Sequence, residues 1–240
     1  MDKIGETLAF SRQIQNMFSA IASRYDFLNS LLSVGRDKYW RKMAIDRLAP
    51  KTNERIADIA TGTCDMILEI ASRNRSVQIS GLDFSRRMLD LGRKKIIAKG
   101  YSSAVSFLMG SAEHLPFMDK SFDGVICAFG IRNFFDMKSG LIEFYRILKP
   151  GGRAVILEFS MPTNRILRCV YNWYFYVILP KVGNLVSGNN EAYSYLPKSV
   201  KNFPDQYIFV SWIEEAGFQK VSLNELSFGI VSIYYGYKAL

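Results

Sequence analysis

The sequence predicts an α/β fold in which seven strands form a mainly parallel sheet flanked by helices. From residue 54 onward, short apolar runs of strand length alternate with longer patterns of helical periodicity, which is typical of β-α-β units with parallel strands. Two further β-rich runs, about 220–227 and 229–237, end the chain with too few residues between them for a crossover helix. They predict a hairpin that completes the sheet.

Length and composition favour one folded domain over 1–240. A chain of 240 residues with 49% hydrophobic and 22% charged residues can bury a substantial core. The formal charge of +9 predicts an anionic partner, and charge alone leaves nucleic acid and a negatively charged membrane surface open. The sequence does not fix the oligomeric state and leaves a homodimer open.

Cysteine and histidine content disfavours a metal site. Cys64, Cys127 and Cys169 lie far apart without a CxxC pair, and His114 is the single histidine, so a closed zinc centre is not expected. The first six residues carry acids where a signal peptide has a basic segment. We therefore expect a metal-free, cytoplasmic protein that is not exported and that meets the inner face of the membrane only peripherally.

The first 50 residues predict an N-terminal helical lid. Apolar positions recur at three- and four-residue spacing across 7–49 without a strand signal, and Pro50 ends the segment. Within it, the polar and aromatic stretch 20–29 could fold over a pocket. The alternative for Tyr25 is a core aromatic in plain helix packing, and the pattern leaves both open.

The central part of the chain predicts the remaining elements in order. The run Lys149-Pro150-Gly151-Gly152 ends the third of its helices, since proline cannot continue a helix and glycine supplies a turn. The carboxyl ends of parallel strands share one edge, where open α/β sheets bind ligands. Strands are expected near 55–60, 77–83, 105–110, 122–129 and 153–160, and helices near 65–74, 85–99 and 136–148.

Residues 161–203 depart from this alternation and predict an apolar cap insertion. The stretch 166–179 is strongly apolar and aromatic but is interrupted by Arg168 and Asn172. It is shorter than the roughly 20 residues that a membrane span needs, so it indicates a cap helix or an interfacial segment. For most of its side chains, burial on the core of the fold is the favoured interpretation.

A small-residue turn follows the strand near 55–60 and leads into a helix, which leaves backbone N–H groups available to a polar part of a ligand. Gly62 permits close approach, and Asp83 ends the next strand, where nucleotide-binding folds place a carboxylate for ribose hydroxyls. The turn lacks the second and third glycines of GxGxxG, which disfavours a dinucleotide-binding dehydrogenase. S-adenosylmethionine, an adenosine cofactor without phosphates, meets these requirements.

The whole pattern resembles class I methyltransferases, which have a Rossmann-like fold, and more narrowly the menaquinone and ubiquinone biosynthesis C-methyltransferases. The resemblance covers nearly the whole chain. The glycine turn and LKPGG are common to many methyltransferases. The more specific segments are FGIRN at 129–133, LEFSMP at 157–162, YLP at 195–197 and FPDQ at 203–206, together with SRYD at 23–26 and AEHLPF at 112–117.

The resemblance implies a set of cofactor contacts. Thr63 and the neighbouring main chain would hold the methionine part of the cofactor, and Asp83 would bind the ribose. Ser111 and Ala112 would lie beside the adenine. Ala128 stands near the cofactor, at a position where relatives often have a serine.

Cys64 is a further difference from the family pattern, and the roles of three aspartates in the site have alternatives. Cys64 replaces the usual second glycine of the turn, which predicts a changed backbone path or a weaker contact. For Asp58 and Asp65, direct ligand contact and bracing of the loop by hydrogen bonds both stay open. Asp83 could instead cap the next helix, but Ser85 is the better N-cap, which leaves Asp83 free for the cofactor.

For the reaction, the resemblance implies methyl transfer to a ring carbon of demethylmenaquinol, a polyprenyl quinol, in menaquinone biosynthesis. Such a carbon becomes nucleophilic when a ring hydroxyl loses its proton, so the site needs a base or a cation. Arg132 is the candidate cation, and Asn133 and Tyr25 could position the quinol oxygen. The alternatives are that Arg132 braces Asp136 and that Asn133 caps the following helix.

Three other residues receive loop roles. His114 lies in a segment that matches a structural loop of many methyltransferases, which favours packing over catalysis. Glu158 and Asp205 are expected to hold loops over the site.

Other functions remain open. C-methylation of a ubiquinone precursor is the nearest alternative. A nucleic-acid methyltransferase would also explain the charge, but the chain has no NPPY-like motif and no RNP-like segment, so no nucleic-acid partner is expected. A non-catalytic protein that binds S-adenosylmethionine is supported only by Cys64 and Ala128. The net positive charge fits transient docking at an anionic membrane that holds a polyprenyl quinone better than it fits binding to nucleic acid.

Overall fold

One sheet organises the chain. A computed structural model of the protein describes residues 3–22, 25–174, 177 and 190–240. The strands are β1 (Arg55–Ile59), β2 (Gln78–Asp83), β3 (Val105–Met109), β4 (Phe122–Ala128), β5 (Leu148–Phe159), β6 (Gln219–Leu226) and β7 (Val231–Tyr237). Their order is β3-β2-β1-β4-β5-β7-β6, and β7 alone of these strands runs in the direction opposite to the other six. The predicted mainly parallel, seven-stranded sheet is therefore confirmed.

Helices cover both faces of the sheet. Consecutive residues of β1 alternate between two buried apolar clusters, as the period of a strand requires. Phe144 and Phe209 belong to one cluster, and Ile45 and Ile67 belong to the other. The helices of the described ranges are α1 (Lys3–Ile21), α2 (Tyr25–Leu32), α3 (Arg36–Leu48), α4 (Asp65–Arg73), α5 (Arg86–Ala98), α6 (Met137–Ile147), α7 (Arg165–Trp173), α8 (Asn190–Asn202) and α9 (Gln206–Glu215).

The fifth strand begins earlier than the sequence predicts. β5 starts at Leu148, which pairs with Phe122, and regular pairing resumes only where Arg153 lies opposite Gly124. The register shift between these pairs accommodates the turn at 149–152, where Gly151 has a φ of 74°. The prediction near 153 was wrong because a proline and two glycines inside a strand have the same local signature as a connecting loop.

The end of the chain forms the predicted hairpin. β6 and β7 are antiparallel, and β7 lies between β5 and β6. A single short turn, Ser227–Gly229, connects the two strands. Phe228 in this turn has left-handed backbone, with a φ of 61°, and its side chain is exposed.

The apolar segment after β5 does not pack as its composition suggests. The side chains from 165 to 169 are exposed, and Trp173 is exposed as well, whereas Tyr171 is buried. Burial on the core, the favoured interpretation, was wrong for the exposed side chains, whereas Tyr171 is buried in an apolar cluster as expected. Leu167, Tyr171 and Trp173 also line a cavity. Residues 175–176 and 178–189 of the predicted cap lie outside the described residues.

The described ranges contain neither a membrane-spanning helix nor a cluster of metal-binding side chains. No helix there combines the length and the apolarity that crossing a membrane requires. No three histidine, cysteine, aspartate or glutamate side chains of the described residues come together as a metal site would require.

Candidate active site

Three adjoining cavities open at the carboxyl ends of the central strands. They measure about 510, 120 and 30 Å³, and we name them the large, middle and small cavities. Tyr25 and Phe129 line all three. Every residue predicted for the site lines at least one cavity: Tyr25, Asp58, Gly62, Thr63, Asp83, Ser111, Ala112, Ala128, Arg132 and Asn133.

Asp83 organises the entrance to the middle cavity. Its Oδ2 accepts a hydrogen bond from Gly62 N (2.8 Å), and its Oδ1 accepts one from Ser85 N (2.8 Å). Burial raises the pKa of Asp83 to about 6, although these backbone donors oppose the rise. Ser85 is the N-cap of α5, as predicted, with its side chain accepting from Met88 N.

Ser85 rather than Asp83 caps α5, as expected, but the Asp83 carboxylate is already engaged by two backbone donors. A buried carboxylate needs partners, and the turn after β1 supplies one of them. Two carboxylate oxygens still offer about four acceptor positions. Asp83 can therefore brace the turn and accept ribose hydroxyls, and its role toward the ribose stays a prediction.

Asp58 lies at the end of β1 and lines the small cavity. Thr61 Oγ1 donates to its Oδ2 (2.5 Å), which braces the loop, whereas its Oδ1 is buried without a hydrogen-bond partner among the described residues. Burial raises the pKa of Asp58 to about 7, and the Thr61 hydroxyl only partly opposes this. A partnerless carboxylate oxygen at this place fits the ammonium group of a methionine moiety.

Cys64 takes the backbone path that a glycine would favour. It has a φ of 67° and forms the N-cap of α4, so the turn keeps its course despite the larger side chain. The Sγ atom fills space over α5: a Cβ added at Gly92 would lie only 2.2 Å from it. The departure from the family pattern at 64 is thus accommodated by a glycine on the neighbouring helix.

This contact gives a stability prediction. Replacing Gly92 by alanine should lower the free energy of unfolding by about 1–3 kcal/mol, the usual cost of overpacking a core. Changing Cys64 to glycine in the same chain should restore most of that loss, because it removes the clashing sulfur. Urea titration of the two single variants and the double variant measures the coupling, and an additive double variant would contradict this account.

The second N-terminal helix is tied to the cofactor turn. Thr63 Oγ1 donates to Asp26 Oδ1 (2.5 Å), and the other oxygen of Asp26 pairs with Lys95 Nζ (2.5 Å). The hydroxyl of Thr63 is therefore engaged by α2, and the main chain beside it remains for the ligand. Holding the methionine part stays a prediction for Thr63.

The first helix covers the middle cavity. Gln15 Nε2 donates to Phe84 O (2.7 Å), and Ser19 Oγ lies 3.1 Å from Ser85 Oγ. Both contacts fasten α1 to the connection between β2 and α5. Phe18 packs edge-on against Phe84, which gives this cavity an apolar wall suited to a flat base.

On the opposite side of the middle cavity lies the loop after β3. The Ser111 hydroxyl donates to Glu113, whose other oxygen accepts from Phe135 N (2.8 Å). This places Ser111 and the buried Ala112 along the cavity with their loop held in position. Ala128, at the end of β4, lines both the middle and the small cavity.

Arg132 is a buried cation on the wall of the large cavity. Its Nη1 lies 2.5 Å from Oε1 of the fully buried Glu158 and donates to Phe129 O (2.7 Å). Burial alone would lower the pKa of Arg132, but the Glu158 carboxylate more than offsets this and the pKa is raised. The predicted alternative, in which Arg132 braces Asp136, was wrong because Glu158 is its partner.

Glu158 fixes the turn that carries Arg132. In addition to the ion pair, it accepts hydrogen bonds from Arg132 N (3.3 Å) and Phe159 N (2.8 Å). Gly130 allows this turn to lie against the end of β1, since a Cβ there would be 2.5 Å from Ala60 Cβ. The position of the cation is therefore set by buried backbone and side-chain contacts.

Asn133 does not cap the following helix. Asp136 is the N-cap of α6, and its side chain accepts from Lys138 N and Ser139 N. Asn133 Oδ1 instead accepts a hydrogen bond from the hydroxyl of Tyr195 (2.9 Å). Asn133 lines the middle cavity, and with its oxygen engaged its amide nitrogen is the group that can donate to a ligand.

Two tyrosines flank the cation. Burial raises the pKa of both Tyr25 and Tyr195, and the charge of Arg132 opposes the rise in each case. Tyr25 comes from α2 and Tyr195 from α8, so the N-terminal segment and the segment before α9 each contribute one hydroxyl. Both remain protonated at neutral pH; the Tyr195 hydroxyl donates to Asn133, and the Tyr25 hydroxyl can donate to a ligand.

Aromatic side chains form a large part of the remaining wall of the large cavity. Trp40 lies 6.2 Å from Phe129 and 6.1 Å from Phe159 between ring centroids, and its Nε1 donates to Ser227 Oγ (2.8 Å). The Arg132 guanidinium lies 5.4 Å from the Phe159 centroid. The result is a largely apolar space whose wall holds two buried cations, Arg132 and Arg41, and it suits a flat aromatic ring that carries oxygen atoms.

Residues expected to hold loops behave in different ways. His114 is exposed and lines none of the three cavities. Asp205 is the N-cap of α9, accepting from Tyr207 N (2.9 Å). Of these three residues, Glu158 is the one that contacts a predicted site residue, through its ion pair with Arg132.

Sequence reasoning missed four contributors to the site. Tyr195 and Asp26 belong to the YLP and SRYD segments, whose family specificity could have marked them as site residues. Trp40 and Arg41 offered no such signal, because one apolar and one charged residue within an amphipathic helix pattern are ordinary. Their place on the cavity walls depends on how α3 docks.

The fold and these cavities define a class I methyltransferase, with S-adenosylmethionine as the methyl donor. An S-adenosylmethionine-dependent methyltransferase from Thermotoga maritima has a similar structure, with a TM-score of 0.65 and 22% identity over 93% of this chain and 99% of that chain. At this identity the likeness shows the fold alone.

The family follows from sequence comparison. The model of the ubiE/COQ5 methyltransferase family matches residues 6–238, so the chain belongs to that family. It is 46% identical to the ubiquinone/menaquinone biosynthesis C-methyltransferase UbiE of Geotalea daltonii, over 94% of this chain and 96% of that protein. It is 43% identical to the demethylmenaquinone methyltransferase of Deinococcus radiodurans, over 98% of this chain and 96% of that protein.

Proposed function

We propose that this protein transfers a methyl group from S-adenosylmethionine to a ring carbon of demethylmenaquinol, giving menaquinol. The observation that carries the proposal is the large apolar cavity, whose wall holds the buried cation of Arg132 and which adjoins the two cavities suited to the cofactor. A prenylated quinol has the matching parts: an oily tail, an aromatic ring and two polar oxygens. The names of the relatives agree with this substrate.

The chain's own residues supply orientation and charge stabilisation. The cofactor brings a sulfonium methyl that is already activated for attack. Arg132 stabilises negative charge on the quinol oxygen, which makes the neighbouring ring carbon electron-rich. In the net reaction the sulfur–methyl bond breaks and a carbon–methyl bond forms, and one proton leaves the quinol.

Two further groups can hold the ring oxygen. Asn133 presents its amide nitrogen because Tyr195 already occupies its oxygen. Tyr25 lies where the three cavities meet, between the quinol space and the cofactor space. An arginine next to Glu158 stays protonated, so it acts by electrostatics, and water is the proton carrier to solvent.

A transfer assay tests this function. Purified protein with methyl-labelled S-adenosylmethionine should label demethylmenaquinol, and mass spectrometry of quinones from cells lacking the protein should show a deficit of one methyl group. Labelling of a ubiquinone precursor instead would shift the assignment to that substrate. An unchanged quinone pool with under-methylated RNA would overturn it.

The mouth of the large cavity fits docking on an anionic membrane. Val34, Trp173 and Phe228 border this cavity with exposed side chains, Val34 and Phe228 being 83% and 79% exposed. Arg36 lies on the same border and is also exposed. A formal charge of +9 attracts the chain to such a surface, and the exposed side chains of Val34, Trp173 and Phe228 would enter its outer layer.

Vesicle binding checks this surface. Replacing Phe228 by serine should weaken partitioning onto phosphatidylglycerol vesicles roughly tenfold, since the aromatic ring would lose about 1.5 kcal/mol of apolar transfer energy. Met118 is 78% exposed and lines none of the three cavities. Its serine variant should bind like the wild type, and equal losses for both variants would contradict a specific docking surface.

A further inference from the structure

Two residues that line the small cavity each have a buried side-chain atom with no hydrogen-bond partner within the described part of the chain, and Arg41 lines the large cavity as well. The two atoms are Arg41 Nε and Asp58 Oδ1. Arg41 is 8% exposed and Asp58 is 1% exposed. Buried polar atoms in folded proteins are nearly always paired, so two such atoms in residues of one cavity indicate a ligand that pairs with both.

The two atoms carry opposite charges, and so does the amino-acid end of the cofactor. An arginine N–H matches a carboxylate, and an aspartate oxygen matches an ammonium group. We propose that Arg41 binds the α-carboxylate of the methionine part of S-adenosylmethionine, opposite Asp58, which accepts from its α-ammonium. The N-terminal helix α3 would then contribute directly to cofactor selection.

The remaining contacts of Arg41 hold its guanidinium in place without exhausting its donors. Nη1 lies 3.3 Å from Asp65 Oδ2, and Nη2 lies 3.8 Å from Asp37 Oδ2. Asp65 has a shorter ion pair, 2.7 Å, with Lys95. The negative charge of Asp65 is therefore balanced without Arg41, and the Nε atom of Arg41 remains available to a ligand.

The position of Arg41 suits this role. Its guanidinium lies 5.8 Å from the Phe129 ring centroid. Gly62 and Thr63 line the same cavity, so the ligand end that meets Arg41 also meets the turn after β1. A cofactor bound here would hold α3 against the turn.

Calorimetric binding without any methyl acceptor tests the proposal, so a failure here is distinguishable from a failure of the quinol chemistry. Arg41→Gln should weaken binding of S-adenosylhomocysteine about 10- to 100-fold, the range expected when a charge-assisted hydrogen bond to a buried group is lost. The same variant should bind 5′-methylthioadenosine, which lacks the amino-acid end, like the wild type. Equal weakening of both ligands would overturn the proposal and leave Arg41 a structural cation.

Matched controls use the same helix and the same ligand class. Arg47 of α3 contacts Tyr235 and lines none of the three cavities, so Arg47→Gln should leave both affinities unchanged. Wild-type protein should bind S-adenosylmethionine at least tenfold more tightly than decarboxylated S-adenosylmethionine, which lacks the α-carboxylate. This comparison uses only the wild-type protein, so it does not depend on whether a variant folds. Equal wild-type affinities for these two ligands would also overturn the proposal.

Discussion

Replacing Arg132 by methionine is expected to slow methyl transfer by about 100- to 1,000-fold, the usual effect of removing one preorganised charge-stabilising donor. The same change should lower the free energy of unfolding by about 3–5 kcal/mol, because Glu158 would remain as a buried carboxylate without its cation. Transfer rates with saturating cofactor and urea titration measure the two effects. The loss of rate should appear in kcat, since the charge develops during the reaction.

The two effects can be separated with a second change. Glu158→Gln in the Arg132→Met background removes the uncompensated charge while keeping an oxygen that can accept from Phe159 N. This double variant should recover most of the lost stability and should stay slow in methyl transfer. A double variant that is as stable and as fast as the wild type would remove Arg132 from the reaction.

The order of the elements could be predicted because each has a local signature. The alternation of apolar runs and helical patterns indicated the parallel strands, and the short connection after 227 indicated the hairpin. The start of β5 could not be read in this way, because its pairing of Leu148 with Phe122 is a contact across the sheet. The exposure of α7 was missed for a similar reason: composition records apolarity but not which surface covers it.

In the site, too, some contacts could be predicted from local sequence and others could not. Asp58, Gly62 and Asp83 follow strand ends, and strand ends of a parallel sheet share one edge, so their clustering could be derived. The pairing of Arg132 with Glu158 depends on the distance between the turn after β4 and the carboxyl end of β5, which no spacing along the chain encodes. The same applies to Arg41, whose unpaired Nε becomes visible only when α3 is placed against the cofactor turn.

Asp58 gives the second large expected effect, which appears as a pH dependence. Its folded-state pKa of about 7 lies about three units above the usual value for an aspartate, mainly through burial. A raised carboxyl pKa means that the folded protein binds more protons than the unfolded chain in this range. Its contribution to stability is therefore fully present below about pH 4 and is lost as pH rises through about 7, by up to about 4 kcal/mol.

Cofactor affinity should change in the opposite direction, because an ammonium group binds the ionised carboxylate. The affinity for S-adenosylhomocysteine should increase from pH 5.5 to about pH 7.5. Asp58→Asn should abolish the part of this increase in affinity that comes from ionisation of Asp58. The same variant should raise the stability of the ligand-free protein at pH 7.5. The charged neighbours of Asp58 are Asp83, Arg41 and Asp65. Asp83 titrates lower, near pH 6, and remains in the variant.

Thermal unfolding and calorimetry across this pH range measure both effects on the same samples. Asp90→Asn, which changes an exposed carboxylate on α5, provides the matched control and should keep the wild-type pH profiles. If Asp58→Asn left the upper part of the affinity profile unchanged, the ammonium group would have another partner. If it left the stability profile unchanged, Asp58 would already be ionised in the folded protein, and its unpaired oxygen would have to be satisfied by water.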